Sequence, residues 1–192
     1  MKRIVVGISG ASGAVLGIEL LRVLKRIPEV ESHVVLSGNA IGTMEEETGR
    51  PGSEILEEIR GLADVLYDSM DMAAAISSGS FKTDGMVIIP CSMKTLAGAA
   101  CGYSENLLLR AADVTLKEAR KLVVVPREMP FGRIHLKNML ALSEAGAVII
   151  PPVMTFYNGI SSAAEMTTHV LGKVLDQFGI DLADYRRWRE SL

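Results

Sequence analysis

Apolar positions along the chain keep switching between two spacings. Residues 3–8 are a short β-branched run, Ile4, Val5, Val6 and Ile8, and predict a first strand. Residues 14–26 place Val15, Leu16, Ile18, Leu20, Leu21 and Leu24 near one helical stripe, which Pro28 stops. The same alternation predicts a strand at 33–36 and a helix at 39–47, with Gly49 and Pro51 as its stop. Ser53 is expected to cap a further helix with Glu54 and Glu57 in its first turn. A weak strand at 65–67, a short helix at 70–76 and a Ser/Gly loop at 77–82 follow. Residues 85–89 read as a buried strand ended by Pro90, followed by helices at 93–100 and 106–120. The rest predicts strands at 122–125 and 147–150, helices at 133–145 and 162–177, and a basic, aromatic tail from Asp181.

Strands that are continuous Val/Ile runs, separated by helices, imply a parallel sheet covered on both faces. No linker, repeat or low-complexity segment interrupts the pattern. The expectation is therefore one doubly wound α/β domain over residues 1–192. Such folds bind ligands beyond the carboxyl ends of their strands.

Composition narrows the function. Twenty Lys and Arg against 23 Asp and Glu give a net charge of −3, which excludes nucleic-acid binding through bulk positive charge. With 48% hydrophobic and 22% charged residues the chain folds rather than staying disordered. Five per cent aromatics, 10 Met and 18 Gly point to an aliphatic core and tight turns. A mean hydropathy of +0.28 points to apolar surface hidden in subunit contacts. Cys91 and Cys101 make neither a disulfide framework nor a metal spacing, so a reducing, cytoplasmic setting is expected. The first apolar run is too short for a signal peptide, and no 18-residue apolar run exists to span a membrane. His33, His135 and His169 are isolated and predict no metal site.

Three segments that follow strands carry chemistry. The turn at 7–14 contains Gly7, Gly10, Ala11, Ser12 and Gly13. Its G-x-x-G-x-x-G spacing departs from the dinucleotide fingerprint, and no Lys follows to hold a triphosphate. Small residues let a ligand approach the backbone, and a helix N-terminus offers amides to an anion. Strand two runs into Ser37, a hydroxyl where a ribose-binding enzyme carries an acid. A mononucleotide such as FMN fits this turn, and an empty tight turn is its ordinary alternative. The second segment holds Cys91, Ser92, Met93, Lys94 and Thr95, with hydroxyls three apart at a helix start. Its ordinary alternative is a Ser N-cap beside a surface Lys, with Cys91 as core filler. The third presents Arg127 and Glu128 between Pro126 and Pro130. Arg suits a phosphate and Glu a proton transfer, while a surface ion pair is the ordinary alternative. Arg110, Lys117, Tyr157 and Lys173 are, from the residues alone, ordinary surface groups.

Taken in order, the segments at 10–13, 77–81, 90–95, 110–113, 125–128 and 151–157 resemble those of the UbiX-type flavin prenyltransferases, over residues 2 to about 180. The resemblance implies a Rossmann-like or flavodoxin-like subunit in a dodecamer, with FMN at subunit junctions. It implies transfer of a dimethylallyl group from dimethylallyl phosphate to N5 and C6 of reduced FMN. The product, prenylated FMN, would serve UbiD-type decarboxylases. Carried over by position, Gly10, Ala11, Ser12, Ser37, Ser92, Met93, Lys94, Thr95 and Arg127 are the implied flavin contacts. Lys117, Arg127, Tyr157 and Lys173 are the implied prenyl-phosphate clamp, with Arg110 in support. Glu128 is the implied proton-handling carboxylate, with Glu47 and Ser12 beside the reacting atoms. Many members carry Arg where this chain has Lys173, which keeps the charge and loses the planar fork. The alternatives are an FMN-dependent decarboxylase of the phosphopantothenoylcysteine or peptidyl-cysteine type, and a non-catalytic FMN carrier.

Overall fold

The computed structural model describes residues 1–156 and 159–188. Its strands are β1 (Lys2–Ile8), β2 (Val30–Leu36), β3 (Val65–Tyr67), β4 (Gly85–Cys91), β5 (Lys121–Pro126) and β6 (Val148–Ile149). They form one all-parallel sheet in the order β3-β2-β1-β4-β5-β6. This is the Rossmann order, and the chain switches sheet halves between β1 and β4. The helices are α1 (Val15–Leu24), α2 (Ala40–Thr48), α3 (Gly52–Leu62), α4 (Met93–Ala100), α5 (Leu107–Lys117), α6 (Arg133–Glu144) and α7 (Ala163–Asp176).

Two aliphatic cores lie on the two faces of the sheet. Ile4, Val6 and Ile8 pack with Leu21 of α1, Ile59 of α3 and Val174 of α7. Val5, Met86 and Ile88 pack with Leu96 of α4 and Leu108 of α5. Side chains alternate along a strand, so strands buried on both faces must read as unbroken apolar runs.

Three local expectations are corrected. Pro90 does not end the fourth strand; β4 runs on to Cys91 past a register irregularity between Ile88 and Cys91. A bulge is where a strand tolerates a residue without an amide hydrogen. Ser53 is not the cap of α3; Pro51 holds that position, and the Gly52 amide donates to Glu45 Oε1 at 2.6 Å. Residues 70–76 are not helical. Asp68 and Asp71 accept the amides of Met70 and Ala73 at 2.9 and 3.0 Å, closing turns that compete with a helix. Only a short 3-10 turn, Ala75–Ser77, remains. The segment after α7 docks on it: Phe178, Ile180 and Tyr185 are buried, and Arg187 grips Asp176 with two bonds of 2.9 and 2.7 Å.

Candidate active site

The loops after β1, β2, β4 and β5 meet at the carboxyl edge of the sheet, and Ser9 ties the central two together. It is fully buried; its hydroxyl donates to the Pro90 carbonyl at 2.8 Å and accepts the Ser92 amide at 2.7 Å. The Ser9 amide also donates to Pro90 at 3.2 Å. The β1 and β4 turns thus form one rigid unit at the switch point. The third loop joins through Ser37, whose hydroxyl accepts the Gly10 amide at 3.0 Å. Gly10 is required there: a Cβ would lie 2.7 Å from Asn39 Cβ and 2.9 Å from the Asn39 backbone. The fourth loop is pinned by the Arg127 amide, 3.0 Å from the Cys91 carbonyl.

The amide accounting changes the reading of the first turn. Glu47, at the end of α2, accepts the Gly13 amide and, at 3.3 Å, the Val15 amide. The start of α1 is therefore occupied by a carboxylate of the same chain, which helix-end electrostatics favour. Ala11 donates to the Ser9 carbonyl at 2.9 Å. The expectation that the start of the first helix offers free amides to an anion is thus corrected for the two amides Glu47 accepts. The same geometry separates the three consecutive glutamates: Glu45 holds α3, Glu47 holds α1, and Glu46 is exposed.

At α4 the ordinary alternative describes the local structure. Ser92 is the N-cap, accepting the Thr95 amide at 3.3 Å and donating to the Thr95 hydroxyl at 3.0 Å. Lys94 is exposed and pairs with Glu105 at 2.9 Å. Met93 and Lys94 sit in the first turn, where helix amides lack intrahelical partners and can meet a phosphate. Cys91 is fully buried, and burial pushes its thiol well up, so it fills core space. Arg127 is exposed beside half-buried Glu128, whose carboxylate accepts the Met129 amide at 3.0 Å.

The remaining implied residues lie elsewhere. Arg110, in the first turn of α5, donates to the Ser77 carbonyl at 3.0 Å and to Asp113 at 2.7 Å. Lys117 ends α5, just ahead of β5, and pairs with Glu118. It therefore stands at the amino edge of the sheet while Arg127 stands at the carboxyl edge. The six residues of β5 between them span roughly 20 Å at about 3.3 Å each. One chain does not bring Lys117 and Arg127 onto one phosphate. Lys173 is exposed near the end of α7, at the rim of a cavity of about 420 Å³ walled by Ile149, Pro151, Thr155 and His169. Tyr157 lies outside the described residues. Among the described residues, no cluster of His, Cys, Asp or Glu suits a metal ion.

Ser9 is the residue that sequence reasoning passed over. Its signal is a hydroxyl immediately after the apolar run that ends in Ile8.

The chain matches the Flavoprotein family over residues 1–178. It is 54% identical, over 97% of its length and 96% of the relative's, to a probable UbiX-like flavin prenyltransferase of Sedimentibacter hydroxybenzoicus. The chain belongs to the UbiX-like flavoproteins. A dodecameric FMN-dependent UbiX-like decarboxylase from Escherichia coli O157:H7 superposes with a TM-score of 0.93 at 51% identity, covering 97% of this chain and 99% of that one. The UbiX-like protein AnUbiX, in complex with FMN and dimethylallyl pyrophosphate, gives 0.93 at 46% identity, covering 100% and 99%. The switch point built around Ser9 thus belongs to a fold shared with flavin-binding relatives along its whole length.

Proposed function

We propose that this chain is a flavin prenyltransferase, joining a dimethylallyl group from dimethylallyl phosphate to reduced FMN. The observation that carries the reading is the four-loop crevice: small residues at 10–13, hydroxyls at Ser37, Ser92 and Thr95, and Arg127–Glu128 on its rim. The Gly10 close approach and the first-turn amides of α4 suit a flat ring with a phosphate tail, so these residues fit FMN. Bound there, FMN supplies the nucleophilic N5 and C6.

The chain's part is electrostatic and steric. Breaking an allylic phosphate ester builds negative charge on the leaving group, and cations placed beside it lower that barrier. Arg127, Lys117, Lys173 and Tyr157 are the proposed clamp, with Arg110 supporting it. The reaction also needs water kept from the allyl carbon. Glu128 would take the proton displaced at C6, and Glu47, which accepts the Gly13 amide, would act beside Ser12 at the reacting atoms. Because Lys117 and Arg127 sit at opposite sheet edges, the clamp closes only when a second copy supplies one of them. Exposed Met129, Ile134, Leu136 and Leu140 provide apolar surface for such contacts. A dodecamer like that of the Escherichia coli O157:H7 relative is the proposed assembly.

None of the three histidines lies in the turn directly after β1, where the cysteine-decarboxylase alternative would need one. His33 is buried against Tyr67, His135 accepts the Gly132 amide at 3.1 Å at the start of α6, and His169 is buried on α7. Delivery of the product to a UbiD-type decarboxylase and a cytoplasmic location complete the proposal. Among the described residues, no helix is long and apolar enough to cross a membrane. Incubation with reduced FMN and dimethylallyl phosphate, followed by mass spectrometry of the released flavin, tests it; unmodified flavin refutes transfer.

A further inference from the structure

His33 on β2 is 2% exposed, yet its polar potential is only half used. Its Nδ1 lies 2.9 Å from the Tyr67 hydroxyl. Its Nε2 makes no hydrogen bond, although Glu31 Oε1 is 3.4 Å away. This fixes the tautomer. If Nδ1 carried the proton, the Nε2 lone pair would face a carboxylate oxygen. If the Tyr67 O–H donates to Nδ1, Nε2 carries the proton and faces Glu31 favourably. Glu31 is itself held by Arg3 Nε at 2.8 Å. Packing alone does not ask for this residue: the next positions of β2 bury Val34 and Val35. A buried, incompletely satisfied imidazole is the costly choice.

The His33 ring meets Phe81 edge-on, with centroids 5.2 Å apart, and the Arg3 guanidinium lies 5.1 Å from the same Phe81 ring. Phe81 ends the 77–81 loop, which is gripped by its carbonyls. Arg110 holds Ser77, and Arg120 holds Gly79 at 2.6 Å and Phe81 at 2.8 Å. Gly79 in turn sits against the Lys117–Glu118 pair; a Cβ there would lie 2.8 Å from Lys117 Nζ. A continuous line of contacts therefore runs from His33 through Phe81 and the loop to Lys117.

We infer that His33 is a positioning residue for the prenyl-phosphate site, setting Phe81 and the 77–81 loop so that Lys117 is correctly aimed. The inference rests on the proposed function, in which Lys117 grips the phosphate. The groups facing His33 are Arg3 from β1, Glu31 from its own strand, and Asp64 and Tyr67 from the β3 side, with Arg120 behind Phe81. Burial holds the imidazole below its ordinary value, with Glu31 opposing that shift, so the ring is neutral at neutral pH. Protonation makes Nδ1 a donor, forces the Tyr67 O–H to turn away and places a second cation beside Phe81.

The test compares wild type, His33→Gln and Tyr67→Phe by KM for dimethylallyl phosphate, FMN affinity and pH profile. His33→Gln is expected to raise KM about tenfold and Tyr67→Phe about threefold, in the range for one lost buried hydrogen bond. FMN affinity stays unchanged in both. The substrate phosphate also titrates, so the signal is the difference: at pH well below the ordinary imidazole range, wild-type KM climbs more steeply than that of His33→Gln. Wild-type KM in both variants overturns the inference, as does a parallel loss of FMN affinity, which marks general loosening. Should His33→Gln fail to fold, Tyr67→Phe decides alone. A wild type that converts no flavin refutes the proposed function and this inference together; conversion with unmoved KM refutes the inference only.

Discussion

Ser9 joins the two halves of the nucleotide-type crevice through one hydroxyl. Ser9→Ala leaves the partly buried Ser92 amide and one bond to the Pro90 carbonyl unmet, an expected loss of about 2 kcal/mol. For a chain of this size that is roughly 4–8 °C in Tm, readable by calorimetry, with weaker FMN binding alongside. Gly10→Ala drives a methyl into the Asn39 backbone. It should reduce FMN affinity at least tenfold while shifting Tm by only a few degrees, on the order expected for local overpacking. Glu128→Gln should bind FMN normally and slow ring closure by about 10²–10⁴-fold, the worth of a positioned base. An unchanged rate would assign that proton to the released phosphate. At this scale the sequence marked Gly10, Ser37, Ser92 and Arg127 because turn glycines, caps and strand-end Arg are local signals. It could not show that Glu47 closes α1, because that contact joins residues 32 and 34 apart in the chain.

Among the elements, α7 carries the proposed clamp's only group from the last helix. Lys173 is exposed next to Gly172, where the Tyr185 ring packs so tightly that a Cβ would lie 2.2 Å from it. The segment after α7 therefore fixes the helix carrying Lys173. Lys173→Ala should raise KM for dimethylallyl phosphate roughly 10–150-fold, the range for one charge-assisted bond, and leave FMN affinity unchanged. Lys173→Arg should retain activity, since the fork grips two oxygens. Wild-type saturation in Lys173→Ala would remove it from the clamp. Most elements were legible because their periodicities are long and unbroken; α4 begins and ends at the expected residues. The failures at 70–76 and at Pro90 share one cause. Side-chain capping by Asp68 and Asp71, and a bulge next to Cys91, are tertiary or turn-level choices that apolar spacing does not record.

In the whole molecule, burial holds His33 and His169 below their ordinary imidazole values, so the unfolded chain binds more protons below about pH 6.5. Stability is therefore full above that pH and falls as pH drops through it, levelling once the folded imidazoles charge. Glu31, Glu58 and Asp64 are held below the usual carboxylate range, so their contributions fade only at lower pH. Urea midpoints at pH 7.5 and 5.5 isolate the histidines, and a flat response contradicts their neutral burial. The separation of Lys117 from Arg127 across the sheet makes a second demand, that one clamp draw on two chains. Co-assembled Lys117→Ala and Arg127→Ala chains should recover activity that neither has alone, because some junctions regain both cations. The transfer itself is read from the mass of the flavin. After reaction with reduced FMN and dimethylallyl phosphate, the released flavin should be heavier by one isoprene unit and the phosphate free in solution. Flavin of unchanged mass from FMN-loaded protein would refute prenyl transfer by this chain.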